Sequence, residues 1–257
     1  MKDFYEQFYA VVATSPVHAE FCERVFGRNL SQHGFSDMAQ LEALLHVTGL
    51  GPGMQALDLG CGSGMVAEYL SDCTGAHITG LDYIDLAIQQ AQARTAAKAD
   101  HLQFFTADLN ALDLPPRTYD VILSIDTLYF SADLTGTIGQ LVQALRPGGQ
   151  MAIFYAHGRE PWVPLDEFQA DTLAPDRTPL GAALCANGLA FQALDFTAEE
   201  YRLARLRQEV LAELRPRFEA EGLMFIYDNR SGDAQGIRQA IEDGLHRRYL
   251  YHVRLSD

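Results

Sequence analysis

Up to about residue 50, apolar positions recur at helical spacing. Phe4, Phe8 and Val12, with Tyr5 and Tyr9 beside them, mark one helix. His18, Phe21, Cys22, Val25 and Phe26 mark a second, which Gly27 ends. A polar stretch, Asn29 to Gly34, precedes a third helix, which starts near Ser36, carries Met38, Leu41, Leu44 and Leu45, and stops at Gly49. From Gly51-Pro52-Gly53 onward the rhythm changes to short apolar strands alternating with helices. Strands are predicted at 55–59, 77–81, 102–105, 121–125 and 151–155. Helices are predicted from Met65, from Asp85 to about Ala99, and along Leu134, Ile138, Leu141, Val142 and Leu145. This alternation implies parallel βαβ units, and hence a doubly wound α/β sheet.

The tail breaks the rhythm. Residues 190–196 read as a strand. Thr197 with Glu200 reads as a capping box opening a long helix, strained or ended near Pro216. Leu223 to Tyr227 reads as strand or loop, then a helix passes through Ile237, Ile241 and Leu245 into a last strand, 249–255. The organisation expected is an N-terminal helical lid, 1–50, then a seven-stranded, mostly parallel sheet domain, 51–257. A helical insertion at about 198–246 would lie near the carboxyl ends of the strands, where ligands bind in such sheets.

Composition adds exclusions. The 257 residues are 48% hydrophobic and 21% charged, which is ordinary for a globular chain. Nineteen basic against 34 acidic residues leave a net charge of −15. That works against a broad phosphate-binding surface, so no nucleic-acid partner is expected. It suits a cationic ligand instead. Cys22, Cys61, Cys73 and Cys185 show no metal-ligand spacing, so free thiols and no metal are expected. No signal peptide and no membrane-spanning run stand out, so the expectation is a cytoplasmic monomer or homodimer without membrane contact.

The most informative segment is 56–64, Ala-Leu-Asp-Leu-Gly-Cys-Gly-Ser-Gly. It is a buried strand, a glycine turn and a helix start, where glycine lets a ligand approach the backbone. A dinucleotide fingerprint fits poorly, because Met65 stands at its third glycine position. It is no Walker loop either, since no Gly-Lys-Ser/Thr follows.

Residues 57–64 resemble motif I of the class I S-adenosylmethionine-dependent methyltransferases. Further matches follow in the family's order: Gly80-Leu81-Asp82-Tyr83, Phe105-Thr106-Ala107-Asp108-Leu109, Tyr119 to Ser124, and Leu145 to Gly149. The resemblance covers about 50–156. It implies a Rossmann-like methyltransferase fold with S-adenosylmethionine as cofactor and S-adenosylhomocysteine as product. It places Gly60, Gly62 and Gly64 against the cofactor and Asp82, with Tyr83 beside it, at the ribose hydroxyls. Asp108 and Leu109 would hold the adenine, Asp58 the amino group, and Ser124 would lie nearby on the fourth strand. Residues 124–130, Ser-Ile-Asp-Thr-Leu-Tyr-Phe, lack the N/D-P-P-Y/F of base-amine and glutamine methyltransferases. A small-molecule acceptor is therefore expected.

The methyl displacement needs orientation above all. A hydroxyl or carbon nucleophile would also need a base. His33, in the polar break of the lid, and His157, ending the fifth strand, are candidates, with Tyr129 after the fourth strand. Tyr155, Tyr9 and Gln32 are candidate acceptor contacts, the tyrosine faces being able to hold a cation. His252 reads as structural. Three other readings stay open: the same fold using the cofactor for aminocarboxypropyl transfer or cyclisation, a non-catalytic cofactor-binding module, and a nicotinamide oxidoreductase, which Met65 disfavours.

Overall fold

A computed structural model describes residues 2–159 and 162–256; the outermost bounds of the two expected domains, Met1 and Asp257, lie outside these. Three helices come first: α1 (Lys2–Val12), α2 (Pro16–Phe26) and α3 (Met38–Thr48). There follow β1 (Gln55–Leu59), α4 (Met65–Thr74), β2 (His77–Asp82), α5 (Asp85–Arg94), β3 (Leu102–Thr106), β4 (Tyr119–Ile125), α6 (Leu134–Ala144) and β5 (Leu145–Gly158). The remainder is α7 (Pro179–Ala186), β6 (Phe191–Asp195), α8 (Thr197–Ala220), α9 (Met224–Glu242) and β7 (His246–Arg254).

The strands form one sheet in the order β3-β2-β1-β4-β5-β7-β6. The first five pair in parallel, and β7 runs antiparallel between β5 and β6. β1 is buried along nearly its whole length, as expected for a strand covered on both faces. The chain order reverses between β1 and β4, which opens a crevice at the carboxyl ends of the strands.

Three apolar clusters hold the layers. One lies between the sheet and α6–α7, built on Leu57, Ile122, Ile138, Leu141 and Leu184. The second lies between the opposite face and α3–α5, built on Leu44, Leu70, Ile78, Ile88 and Phe104. The third stands off the sheet. There Phe8, Val12, Phe21 and Phe26 of α1–α2 interdigitate with Leu203, Leu211, Leu214 and Phe218 of α8 and Ile226 of α9. Across it Glu221 accepts from Ser15 Oγ at 2.6 Å and from the Val17 amide at 3.0 Å. Segments far apart in sequence thus build one roof over the crevice.

The tail departs from expectation in several places. The capping box does not form: the Thr197 amide donates to Asp195, its hydroxyl accepts from the Arg248 amide, and Glu200 turns inward to His246. α8 runs through Pro216 to Ala220, because buried Leu214 and Phe218 hold the turns on either side of the lost amide. Leu223 to Tyr227 is neither strand nor loop but the start of α9, with the Ile226 and Tyr227 amides donating to the Leu223 carbonyl. α5 stops at Arg94, short of Ala99, and a 3-10 turn covers Ala96–Lys98. α7, opened by Thr178 accepting from the Gly181 amide, was not anticipated. Among the described residues no helix is long and apolar enough to cross a membrane.

Candidate functional site

The crevice and its roof enclose a cavity of about 1240 Å³. A pocket for one drug-sized ligand is about 300–1,000 Å³, so this one has room for two. All of the candidate residues except Gly64 and Ser124 lie on its wall.

One end is the glycine loop. Gly60, Gly62 and Gly64 have φ of 80°, 54° and 72°, the left-handed region that glycine enters freely. A Cβ on Gly60 would come 2.0 Å from Thr127 Oγ1, and one on Gly62 would come 2.4 Å from the Tyr9 hydroxyl. Gly64 serves packing instead: its Cβ would meet the Phe104 ring at 2.5 Å, so α4 can lie down on the sheet. Ser124 sits in the middle of the sheet, fully buried on β4 between β1 and β5, with its hydroxyl unpartnered. It does not reach the cavity, contrary to expectation.

Asp82 ends β2 and braces the loop. Its oxygens accept from the Gly62 amide at 2.8 Å and the Ile84 amide at 2.9 Å. Each oxygen keeps a lone pair for a ligand hydroxyl. Asp58, 3% exposed, is pushed up to about 7 by burial and then by the Asp82 charge. An ionised carboxylate there lacks a counter-charge that a ligand ammonium would supply. Asp108 caps a short turn, accepting from the Asn110 amide, with Leu109 beside it on the wall. Tyr83 is half-exposed, with the Lys2 ammonium 4.6 Å from its ring centre.

The other end is aromatic. Tyr129 and Tyr155 face one another at 4.6 Å between ring centres. The Tyr129 hydroxyl donates to Asp126 at 3.2 Å and accepts from the Ala156 amide at 2.6 Å, so both its roles are taken. His33 lies among Phe4, Tyr5 and Phe8, its Nε2 3.3 Å from Asn229 Oδ1. Burial, and then the Arg230 charge, pull it down to about 3. It is therefore a poor proton acceptor near neutral pH, which corrects its candidacy as a base. His157 Nε2 is engaged with Thr172 Oγ1 at 3.1 Å. The Gln32 side-chain oxygen accepts from the Leu30 amide, and its backbone carbonyl accepts from Arg230 at 2.8 Å.

Sequence reasoning passed over the residues behind this end. Asp126, at a left-handed φ of 56°, follows β4 and accepts from both terminal nitrogens of the fully buried Arg248. Arg248 also donates to Gln40 and Ser36 and lies 3.7 Å from Glu200. His246 Nε2 is 2.7 Å from the other Glu200 oxygen. Asp126, Glu200, Asp233 and His246 all line the cavity. The one available signal was position: Asp126 directly follows a strand end, and His246 opens the last strand. Among the described residues, no group of three or more His, Cys, Asp or Glu is placed to hold a metal ion.

The methyltransferase domain family matches residues 56–149. A sterol 24-C-methyltransferase of Gibberella zeae is 30% identical over 140 residues, covering 54% of this chain and 35% of that one. The chain spans well under half the length of the curated relatives it matches. Phosphoethanolamine N-methyltransferase 2 of Haemonchus contortus, solved with phosphomonomethylethanolamine and S-adenosylhomocysteine, superposes with a TM-score of 0.77 at 17% identity, over 98% of this chain and 60% of that one. The [4+2]-cyclase SpnF superposes with a TM-score of 0.73 at 16% identity, over 100% and 97% of the two chains.

Proposed function

We propose that this chain, a member of the class I S-adenosylmethionine-dependent methyltransferase family, moves a methyl group from S-adenosylmethionine to a small molecule held beneath its helical roof. The observation that carries the reading is one continuous cavity joining Asp82, Asp108 and the glycine loop to the Tyr129–Tyr155 chamber. Asp82 takes the ribose hydroxyls on its free lone pairs, and Asp108 and Leu109 take the adenine. Asp58 faces the ammonium, and the missing side chains of Gly60 and Gly62 let Thr127 and Tyr9 close against the loop at the edge of the ligand's bed. The sulfonium supplies an activated methyl. The chain aligns the acceptor with it and keeps water out, which removes at best about 7–11 kcal/mol from the barrier. Cavity-wall carboxylates and tyrosine faces favour an acceptor that is cationic or an amine, with an apolar part. The four free cysteines favour a reducing compartment such as the cytoplasm.

The experiment is incubation with methyl-labelled S-adenosylmethionine and fractionated small-molecule extracts, read by mass spectrometry. A labelled product with S-adenosylhomocysteine released is the expected result. Methylthioadenosine release would indicate aminocarboxypropyl transfer, and binding without turnover a cofactor-sensing module. In parallel, Asp82→Ala should weaken S-adenosylhomocysteine by about 2–4 kcal/mol in calorimetry, since two hydroxyls lose a charged acceptor. Unchanged affinity removes Asp82 from the site.

A further inference from the structure

Of the candidate bases named by sequence position, His33 is pulled far down and bonded to Asn229, and His157 Nε2 is backed only by the Thr172 hydroxyl, not by a carboxylate. One imidazole on the cavity wall is arranged differently. His246 opens β7 and pairs in register with Gly158, the last residue of β5. Its Nε2 lies 2.7 Å from Glu200 Oε2, and Glu200 is fully buried on α8. A carboxylate only accepts, so Nε2 carries the proton and Nδ1 carries the lone pair. Among the described residues Nδ1 has no hydrogen-bond partner, and it is not among the sealed-off polar atoms. Gly158 keeps it uncovered: a Cβ there would come within 2.7 Å of Nδ1. Glu200 is itself held by Arg248, 3.7 Å from its second oxygen.

We propose that His246, oriented by Glu200, accepts the proton of the methyl-accepting nucleophile; this rests on the methyl-transfer reading above. Position supports it. β7 is three strands beyond the glycine loop of β1, about 14 Å at the usual spacing between strands. That is the far side of the cavity from Asp82 and Asp108, where the acceptor lies. The step balances without a further reactant. The acceptor's lone pair forms a bond to the methyl carbon, and the carbon–sulfur bond breaks with its electrons going to sulfur. The acceptor's proton passes to Nδ1. The positive charge that leaves sulfur thus ends on an imidazolium beside the Glu200 carboxylate, the arrangement by which an oriented acid–base pair works. The acceptor is accordingly one that carries a proton to lose: a hydroxyl, or an ammonium that first passes its proton to Nδ1 and then attacks with the lone pair so freed.

Two measurements test it. In nitrogen-15 spectra of the full chain, His246 should show Nε2–H with bare Nδ1, and this preference should weaken in Glu200→Gln. The opposite tautomer in the wild type overturns the pairing whatever the enzyme does. In the labelled-methyl assay, His246→Ala should lose about 10²–10⁴-fold in turnover while binding S-adenosylhomocysteine within twofold of the wild type. Added imidazole should restore part of the loss, which a structural defect would not allow. Glu200→Gln should lose turnover without losing cofactor. Full turnover in His246→Ala overturns the inference and leaves the transfer reading standing. No labelled product from the wild type overturns the transfer reading, and the proton-accepting role with it.

Discussion

On the proposed reading, a single carboxyl at Asp58 links cofactor binding to protons. Its ordinary value of 3.8 is raised to about 7 in the folded chain. A raised carboxyl means that the folded state binds the proton more tightly than the unfolded chain. Its contribution to stability is therefore nil below about pH 4, turns unfavourable as the pH rises, and is fully unfavourable above about 7. Asp58→Asn should then stabilise the free protein at pH 8 by up to about 4 kcal/mol, and hardly at pH 4, in denaturant titrations. A ligand ammonium would favour the ionised form and expel the proton. Calorimetry with S-adenosylhomocysteine at pH 6, in buffers of different ionisation enthalpy, should show proton release. Binding with no proton exchange removes the ammonium from Asp58. Asp58 and Asp82 stood out in the sequence because each falls in a short local motif, one just before the glycine turn and one at the end of the next strand. The Glu200–His246 pair was not, since its partners are 46 residues apart and Glu200 fitted a plausible capping pattern.

Among the elements, α8 carries the roof. Its twenty-four residues include Pro216, exposed and inside the helix. The proline removes one amide and crowds the preceding turn, a cost of about 3 kcal/mol in a free helix that burial of Leu203, Val210, Leu211, Leu214 and Phe218 offsets. Pro216→Ala should raise the melting temperature by several degrees, as about 1–3 kcal/mol is recovered. A lower melting temperature would mean that the proline bend shapes the fit of α8 on α2. The same helix explains where the pattern of the sequence misled. Proline argues for a break when only the chain's local preferences are weighed, and the partner face on α1–α2, roughly two hundred residues away, is invisible to that argument. The sheet was easier to read, because each βαβ unit is a local period.

Across the whole molecule, Arg248 is the tie. It joins the start of α3 through Ser36 and Gln40, the end of β4 through Asp126, and α8 through Glu200, all from β7. These partners lie 122 to 212 residues apart in sequence for the hydrogen-bonded contacts, so no motif announces them. Arg248→Lys should cost about 3–5 kcal/mol in chemical denaturation, because a point charge cannot bridge both Asp126 oxygens while also serving Ser36 and Gln40. It should also loosen the roof, seen as faster hydrogen exchange in α1 and α8. Wild-type stability in that variant would show that the buried carboxylates are satisfied otherwise.

The joint roof also sets a clock on biosynthesis. Ser15 bonds to Glu221, 206 residues later. At about 5–20 residues per second, a ribosome takes about 10–40 s to deliver the second partner after the first. Throughout that interval Phe4, Phe8, Phe21 and Phe26 wait beside the emerging chain without their packing surface. The sheet's first five strands can pair meanwhile, but the nascent helices remain a natural ligand for chaperones that grip exposed aromatic segments. On the proposed reading, cofactor capture beneath the roof becomes available only once α8 and α9 have emerged, so the site matures well after the strands that carry the glycine loop have paired.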